Sequence, residues 1–133
     1  MNLLLDTHLL LWAAAGELPD DAAAYIEDMN NSLYFSPASI WEVVIKHRLG
    51  RKDFDFDPHS LYNGLLEAGY KELYITSRHS LVISALPNLH KDPFDRLLIA
   101  QSIYEGIPLL TADKQVAQYP GPIILTTQRR HPT

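Results

Sequence analysis

The sequence has no cysteine in its 133 residues. This absence excludes a disulfide framework, a thiolate nucleophile and a zinc site with cysteine ligands. No apolar run approaches the ~20 residues of a membrane-spanning helix. The N-terminal segment MNLLLDTHLLLW has no basic residue at its start and is interrupted by Asp6 and His8, so it does not resemble a secretory signal peptide. We therefore expect a cytoplasmic protein with no membrane partner.

Basic residues are also scarce, with 11 Lys and Arg against 16 Asp and Glu and a net charge of −5. This balance argues against broad, non-specific nucleic-acid binding through phosphate contacts. It remains compatible with an enzyme that processes nucleic acid, because bound cations would neutralise a site built of carboxylates. Hydrophobic residues make up 47% of the chain. We therefore predict one packed domain over residues 1–133, with a frayed tail from about residue 126.

Short apolar segments alternate with helical patterns along the whole chain. The predicted strands cover residues 2–5, 33–35, 71–75, 107–110 and 122–125. The predicted helices cover residues 8–15, 20–30, 37–50, 58–68, 77–86 and 93–106, with a short one at 114–119. This alternation is typical of an α/β fold with a mainly parallel sheet that is covered on both faces. Such sheets bind their ligands beyond the carboxyl ends of the strands.

Four carboxylates lie at strand ends or on the helices beside them. Asp6 follows the first strand, and Asp113 follows the strand at 107–110. Glu42 lies within a helix, and Asp95 lies in the first turn of the helix that begins at Pro93. With no cysteine and no paired histidines, this set of oxygen ligands favours Mg²⁺ or Mn²⁺. Such cations suit phosphodiester hydrolysis, because they activate water, orient the phosphate and stabilise the leaving oxygen.

Each of these acids also has a structural explanation. Asp6 and Asp113 are good N-caps, and Asp95 stands three residues after Asp92 at the capping-box position. Glu42 could pair with Lys46 one helical turn later. Asp92 precedes a proline at the first helical position and is expected to be an N-cap itself. These structural roles do not explain why all the acids gather around strand ends.

Four segments together resemble the PIN-domain nucleases, and more narrowly the VapC-type toxins of type II toxin–antitoxin pairs. The segments are LLLDTHLLLW, SPASIWEVVIKHRLGR, HKDPFDRLLIAQS and PLLTAD, and the resemblance runs from about residue 2 to 125. It implies a three-layer α/β/α sandwich, endoribonuclease activity and one or two Mg²⁺ or Mn²⁺ ions. The family's four metal-binding acids fall on Asp6, Glu42, Asp95 and Asp113. A cognate antitoxin and a homodimer are further implications.

The same resemblance places Thr7, Ser39 and Thr111 beside the carboxylates as supporting residues. Whether Asp92 joins Asp95 in binding metal stays open, and Asp95 is favoured because Asp92 caps the helix.

The densest basic segment, KHRLGRK, offers Lys46, Arg48 and Arg51 as contacts for RNA phosphates. Cations at a helix C-terminus explain the same residues equally well. Arg96 could contact a phosphate or an antitoxin carboxylate, or form a plain salt bridge. The histidines at 47, 59, 79 and 90 lack metal-ligand spacing, and we assign them no role.

Two other functions remain as alternatives. A haloacid-dehalogenase-like phosphatase needs a second aspartate two residues after its nucleophile, and here Asp6 is followed by Thr7 and His8. A glycine-rich phosphate loop is missing as well, which disfavours a nucleotide hydrolase. A non-catalytic binding module would have no need of the full acidic quartet. The sequence does not identify which RNA is cleaved.

Overall fold

The computed structural model describes residues 1–127, which form one five-stranded sheet with six α-helices. The strands are β1 (Asn2–Leu5), β2 (Ser32–Phe35), β3 (Lys71–Glu72), β4 (Leu109–Thr111) and β5 (Ile123–Leu125). The helices are α1 (Thr7–Ala15), α2 (Asp20–Ile26), α3 (Pro37–Arg48), α4 (Pro58–Glu67), α5 (Ser77–Ile83) and α6 (Pro93–Glu105). Two single 3₁₀ turns lie at Lys52–Phe54 and Val116–Gln118.

All four strand pairings are parallel, and the strand order is β3-β2-β1-β4-β5. The chain moves outward from β1 to β2 and β3 on one side, and then crosses to place β4 on the other side of β1. The strand order therefore reverses between β1 and β4. A crevice opens at such a switch point beyond the carboxyl ends of the strands, and ligands bind there in open α/β sheets.

Apolar side chains cover both faces of the sheet. Leu5 and Leu110 face one hydrophobic cluster, which α1 and α4 complete with residues such as Leu9 and Leu61. Leu4 and Leu109 face a second cluster, which α6 completes with Leu98 and Ile99. Because both faces are buried, the three apolar residues of β1 are fully buried, as the continuous run LLL predicts. The predicted three-layer α/β/α architecture is confirmed.

Several predicted boundaries are corrected by local hydrogen bonding. Helix α2 ends at Ile26 rather than residue 30, because Asp28 accepts a hydrogen bond from the Asn30 amide in a turn. Strand β3 pairs over two residues rather than five. Strand β4 begins at Leu109 rather than residue 107, and the predicted helix at 114–119 is only a 3₁₀ turn. The predicted frayed tail lies mostly at 128–133, outside the described residues.

Within residues 1–127, none of the helices combines the length and apolar character needed to cross a lipid bilayer.

Candidate active site

Asp6 is the first residue after β1 and caps α1. Its Oδ1 accepts a hydrogen bond from the Leu9 amide at 3.0 Å, and its Oδ2 accepts one from the Thr111 hydroxyl. The capping role predicted as an alternative is therefore real, but it occupies only one of the two carboxylate oxygens. Thr111 is the last residue of β4, so this second bond ties together the two strands that flank the switch point.

Glu42 is buried, with 2% of its surface exposed, and two side chains donate hydrogen bonds to it. The Thr7 hydroxyl donates to its Oε1 at 2.6 Å and also lies 3.0 Å from the Ser39 hydroxyl. Lys46 donates to its Oε2 at 2.5 Å and lies 3.8 Å from Oδ2 of Asp92. The predicted pair between Glu42 and Lys46 is thus present, but it lies inside the acidic cluster rather than on a solvated face.

Asp92 and Asp95 have separate roles at the start of α6. The carboxylate of Asp92 accepts hydrogen bonds from the amides of Phe94 (2.9 Å) and Asp95 (3.3 Å), as an N-cap does. The side chain of Asp95 takes no part in this cap. Its Oδ2 instead lies 2.8 Å from Nε2 of His90, and 16% of its side chain is exposed.

Asp113 stands two residues beyond the end of β4. Its amide donates to the Thr111 hydroxyl at 3.0 Å, and its Oδ1 accepts from the Gln115 amide at 2.8 Å. Thr111 therefore contacts both acids at the switch point, through its hydrogen bonds to Asp6 and to Asp113.

Electrostatics show that the predicted acids converge. Burial is the main cause that raises the pKa of Asp95 to about 7, and repulsion from Asp92, Asp6 and Glu42 raises it further. Its hydrogen bond with His90 acts in the opposite direction. Burial also raises the pKa of Asp6, and Asp113 adds repulsion, although the Thr111 and Leu9 hydrogen bonds oppose this shift. Asp95 therefore lies close enough to Asp6 and Glu42 for repulsion, and Asp6 lies close enough to Asp113.

The donor set of this site fits a divalent cation. A carboxylate oxygen of Asp95, one of Asp113 and a ring nitrogen of His90 all lie within 4.8 Å of one another. Buried carboxylates that repel one another are stabilised when a cation neutralises them, and their oxygens are the ligands that Mg²⁺ and Mn²⁺ prefer. These residues are well placed to bind such an ion.

His90 is the site residue that sequence reasoning missed. The sequence assigns it no role, because the histidines lack metal-ligand spacing. It reaches Asp95 because the loop before α6 folds back, and its carbonyl oxygen is fixed by the Tyr119 hydroxyl at 3.1 Å. The one available signal was its position two residues before the capping Asp92.

The predicted RNA-binding residues occupy different environments. Arg51 is half exposed and lies 3.3 Å from Asp53, which also contacts His8 at the start of α1. Arg48 is exposed at the end of α3. The guanidinium of Arg96, in contrast, donates to protein groups in the segment before α6 and beyond β4. These groups are the carbonyl oxygens of Ile83, Pro87 and His90 and the hydroxyl of Tyr119. Arg96 therefore fixes the loop that carries His90.

Comparisons with known proteins identify the family of the chain. Residues 3–122 match the family model of the PIN domain. Among curated proteins, none matches the sequence.

Three solved structures share the fold at low sequence identity. The VapBC2 complex of Rickettsia felis, bound to a DNA fragment from its promoter, contains a chain with a TM-score of 0.72 and 19% identity. The match covers 96% of this chain and 99% of that one. A chain of DNA-bound VapBC from Salmonella typhimurium gives 0.68 and 13%, covering 93% and 97%. A chain of VapBC-1 from nontypeable Haemophilus influenzae gives 0.61 and 18%, covering 89% and 91%.

Proposed function

The chain belongs to the PIN-domain family, and from this premise we propose that it is a divalent-metal-dependent endoribonuclease that acts as the toxin of a toxin–antitoxin pair. One observation carries the proposal. Asp6, Glu42, Asp95 and Asp113 come from four separate segments of the chain, yet they interact at the switch point of a parallel sheet. A fold gains no stability from bringing four carboxylates together, so the arrangement is best explained by a bound cation and a catalytic role.

The four acids would hold Mg²⁺ or Mn²⁺, which supplies an activated water and stabilises the charge that develops during phosphodiester hydrolysis. The chain's own contribution is to fix the positions of the acids. Thr111 holds Asp6, and Thr7 holds Glu42, both through hydrogen bonds from buried hydroxyl groups. The positioning residues would be Thr7, Ser39 and Thr111, with Asp92 as the helix cap beside them.

The cations beside the acids are the proposed phosphate contacts. The Lys46 ammonium lies against Glu42, and Arg51 lies near His8 and the start of α1. Together with Arg48 at the exposed end of α3, they would give a phosphate backbone the positive partners that it needs. Arg96 is not one of these proposed phosphate contacts, because its hydrogen bonds hold the loop before α6 in place.

A protein partner is supported by a surface on α3. Trp41, Val44, Ile45 and Leu49 recur at helical spacing and are 61%, 43%, 36% and 72% exposed. Apolar side chains grouped in this way mark a protein interaction surface. Since the similar solved chains come from VapBC complexes, we propose that an antitoxin covers this stripe. A homodimer belongs to the same proposal and is checked by the molar mass of the free chain in solution.

The test is RNA cleavage by the purified chain, freed of any partner. Structured and single-stranded RNA are incubated with Mn²⁺, with Mg²⁺ or with chelator. Asp6→Asn keeps the shape of the side chain and removes its charge, so it tests the acid rather than the fold. Asp20→Asn, at an exposed aspartate that starts α2, is the matched control.

We expect cleavage that needs the metal, is abolished by Asp6→Asn and is retained by Asp20→Asn. Cleavage that survives both the chelator and Asp6→Asn would contradict the proposed chemistry. A folded, metal-loaded chain that cleaves no RNA would favour the non-catalytic binding module instead.

A further inference from the structure

The position of His90 beside the acidic site is imposed by the fold. Its carbonyl oxygen accepts hydrogen bonds from the Tyr119 hydroxyl at 3.1 Å and from Arg96 at 3.4 Å. Tyr119 is buried with 4% exposure, and Arg96 also binds the carbonyl oxygens of Pro87 and Ile83. The backbone of His90 is therefore anchored from two sides. The imidazole, which is 19% exposed, is held facing Asp95 rather than solvent.

The distances around the imidazole suit a shared ion. Nε2 of His90 lies 2.8 Å from Oδ2 of Asp95, and a carboxylate oxygen of Asp113 completes a group within 4.8 Å. Ligands about 2.1 Å from an octahedral ion lie about 3 Å apart on neighbouring corners and about 4 Å apart on opposite ones. Nε2 of His90 and Oδ2 of Asp95 therefore have the separation of neighbouring ligands. The 4.8 Å limit on the three donors exceeds the opposite-corner separation by about 0.6 Å, a difference that a small side-chain rotation covers.

We propose that His90 is a metal ligand through Nε2, together with Asp95 and Asp113, and that this nitrogen makes the site prefer Mn²⁺ to Mg²⁺. Imidazole is a softer ligand than carboxylate and suits transition-metal ions, whereas Mg²⁺ prefers oxygen ligands and keeps its waters. The inference shares with the proposed function the premise that the acidic site binds a divalent cation. It adds an unexpected ligand and a metal preference, neither of which the nuclease reaction requires.

Pulsed electron paramagnetic resonance of Mn²⁺ bound to the metal-free full chain tests the proposal without any RNA. A nitrogen bonded to Mn²⁺ gives an echo modulation that changes when the histidines carry ¹⁵N. We expect this modulation in the unmodified protein. We also expect His90→Gln to abolish it and to weaken Mn²⁺ binding by about tenfold or more. Mg²⁺ binding, measured by calorimetry, should weaken less than Mn²⁺ binding.

His59→Gln is the matched control, because His59 is exposed on α4. It should leave both the modulation and the affinity unchanged. The comparison of ¹⁴N-histidine and ¹⁵N-histidine protein needs no variant, so it stands even if His90→Gln impairs folding.

The possible failures are distinguishable. Mn²⁺ bound with no nitrogen modulation, or with a modulation that survives in folded His90→Gln, would overturn the assignment of His90. Such a result would leave His90 as a hydrogen-bond donor to Asp95 and the nuclease proposal intact. Equal affinities for Mg²⁺ and Mn²⁺ would overturn the proposed preference. If millimolar Mn²⁺ does not bind at all, both this assignment and the metal dependence of the proposed nuclease fail.

Discussion

The hydroxyl of Thr111 donates a hydrogen bond to Oδ2 of Asp6, joining the ends of β4 and β1 across 105 residues of chain. The same hydroxyl accepts a hydrogen bond from the Asp113 amide at 3.0 Å. One fully buried side chain therefore sets the positions of two candidate metal ligands. Both hydrogen bonds depend on the hydroxyl group of Thr111 and not on the size of its side chain. Valine has nearly the same shape but no hydroxyl, so it can separate the two contributions.

Thr111→Val is expected to weaken Mn²⁺ binding and to slow RNA cleavage. The substitution leaves a buried oxygen of Asp6 without its donor, which costs about 1–3 kcal/mol when a charged acceptor is involved. Part of that cost should appear as lower stability of the metal-free protein, measured by urea denaturation. The rest should appear as weaker Mn²⁺ affinity, measured by calorimetry.

Thr111→Ser is the control for this prediction, since it keeps the hydroxyl and removes a methyl group. It should retain most of the Mn²⁺ affinity. If the valine and serine variants bind Mn²⁺ equally well, the hydrogen bond to Asp6 does not position the site.

Lys46→Met is expected to destabilise the metal-free protein strongly. The Lys46 ammonium lies 2.5 Å from Oε2 of Glu42, whose side chain is only 3% exposed. Removing one partner of a buried ion pair leaves an uncompensated charge and costs about 3 kcal/mol. Saturating Mn²⁺ should restore part of this loss, because the bound cation neutralises the same acidic cluster. Chemical denaturation with chelator and with Mn²⁺ measures both effects.

Lys52→Met provides the comparison, because Lys52 is an exposed lysine in the same basic segment. A surface charge of this kind contributes well under 1 kcal/mol. Equal losses of stability for the two variants would show that the ion pair between Lys46 and Glu42 stabilises the fold no more than an exposed charge does.

Metal-free protein is expected to lose stability as the pH rises from about 4 to 7. The pKa of Asp95 is raised from 3.8 to about 7 in the folded chain, chiefly by burial. The folded chain therefore binds this proton more tightly than the unfolded chain does. The resulting contribution to the free energy of unfolding is present at low pH and is lost as the pH rises through the pKa of the folded state. The raised pKa of Asp6 acts in the same direction. The loss due to Asp95 should be roughly 2–4 kcal/mol, measured by denaturation in chelator.

Asp95→Asn isolates this contribution from the other titrating groups. The variant should be more stable than the unmodified chain at pH 7.5 and should show a flatter pH dependence. If the two proteins lose the same stability between pH 4 and 7, Asp95 is already ionised in the folded chain at low pH.

Parallel topology by itself explains why Asp6 and Asp113 lie at the same edge of the sheet. Residues that follow neighbouring parallel strands must meet at one edge of the sheet, whatever the details of packing. Glu42 and Asp95 required the family resemblance, since each has a complete local explanation as an ion-pair partner or a capping residue. In the structure, Asp92 caps α6, whereas the side chain of Asp95 contacts His90.

The features that sequence reasoning missed depend on tertiary contacts. His90 reaches the site through a loop whose path is set by Arg96 and Tyr119, and neither contact has a sequence signature. Strand β3 is shorter than its apolar pattern predicts, because its partner β2 ends at Phe35, which pairs with Glu72. An edge strand pairs on one side only, so its length depends on its neighbour rather than on its own residues. β-Propensity reports local fit and cannot supply that information.

Whether Asp92 or Asp95 binds the metal can be tested with three variants. Asp92→Asn keeps a good N-cap and should alter stability by only a few tenths of a kcal/mol, whereas Asp92→Ala removes the cap and should cost about 1 kcal/mol. Neither variant should abolish Mn²⁺ binding, because Oδ1 of Asp92 accepts from the amides of Phe94 and Asp95 and its Oδ2 lies 3.8 Å from the Lys46 ammonium. Asp95→Asn, in contrast, should keep the fold and abolish detectable metal-dependent cleavage. Parallel denaturation, Mn²⁺ calorimetry and cleavage assays check these outcomes. Loss of Mn²⁺ binding in a stable Asp92→Asn protein would mean that Asp92 is itself a ligand, because asparagine replaces the cap but not the charge.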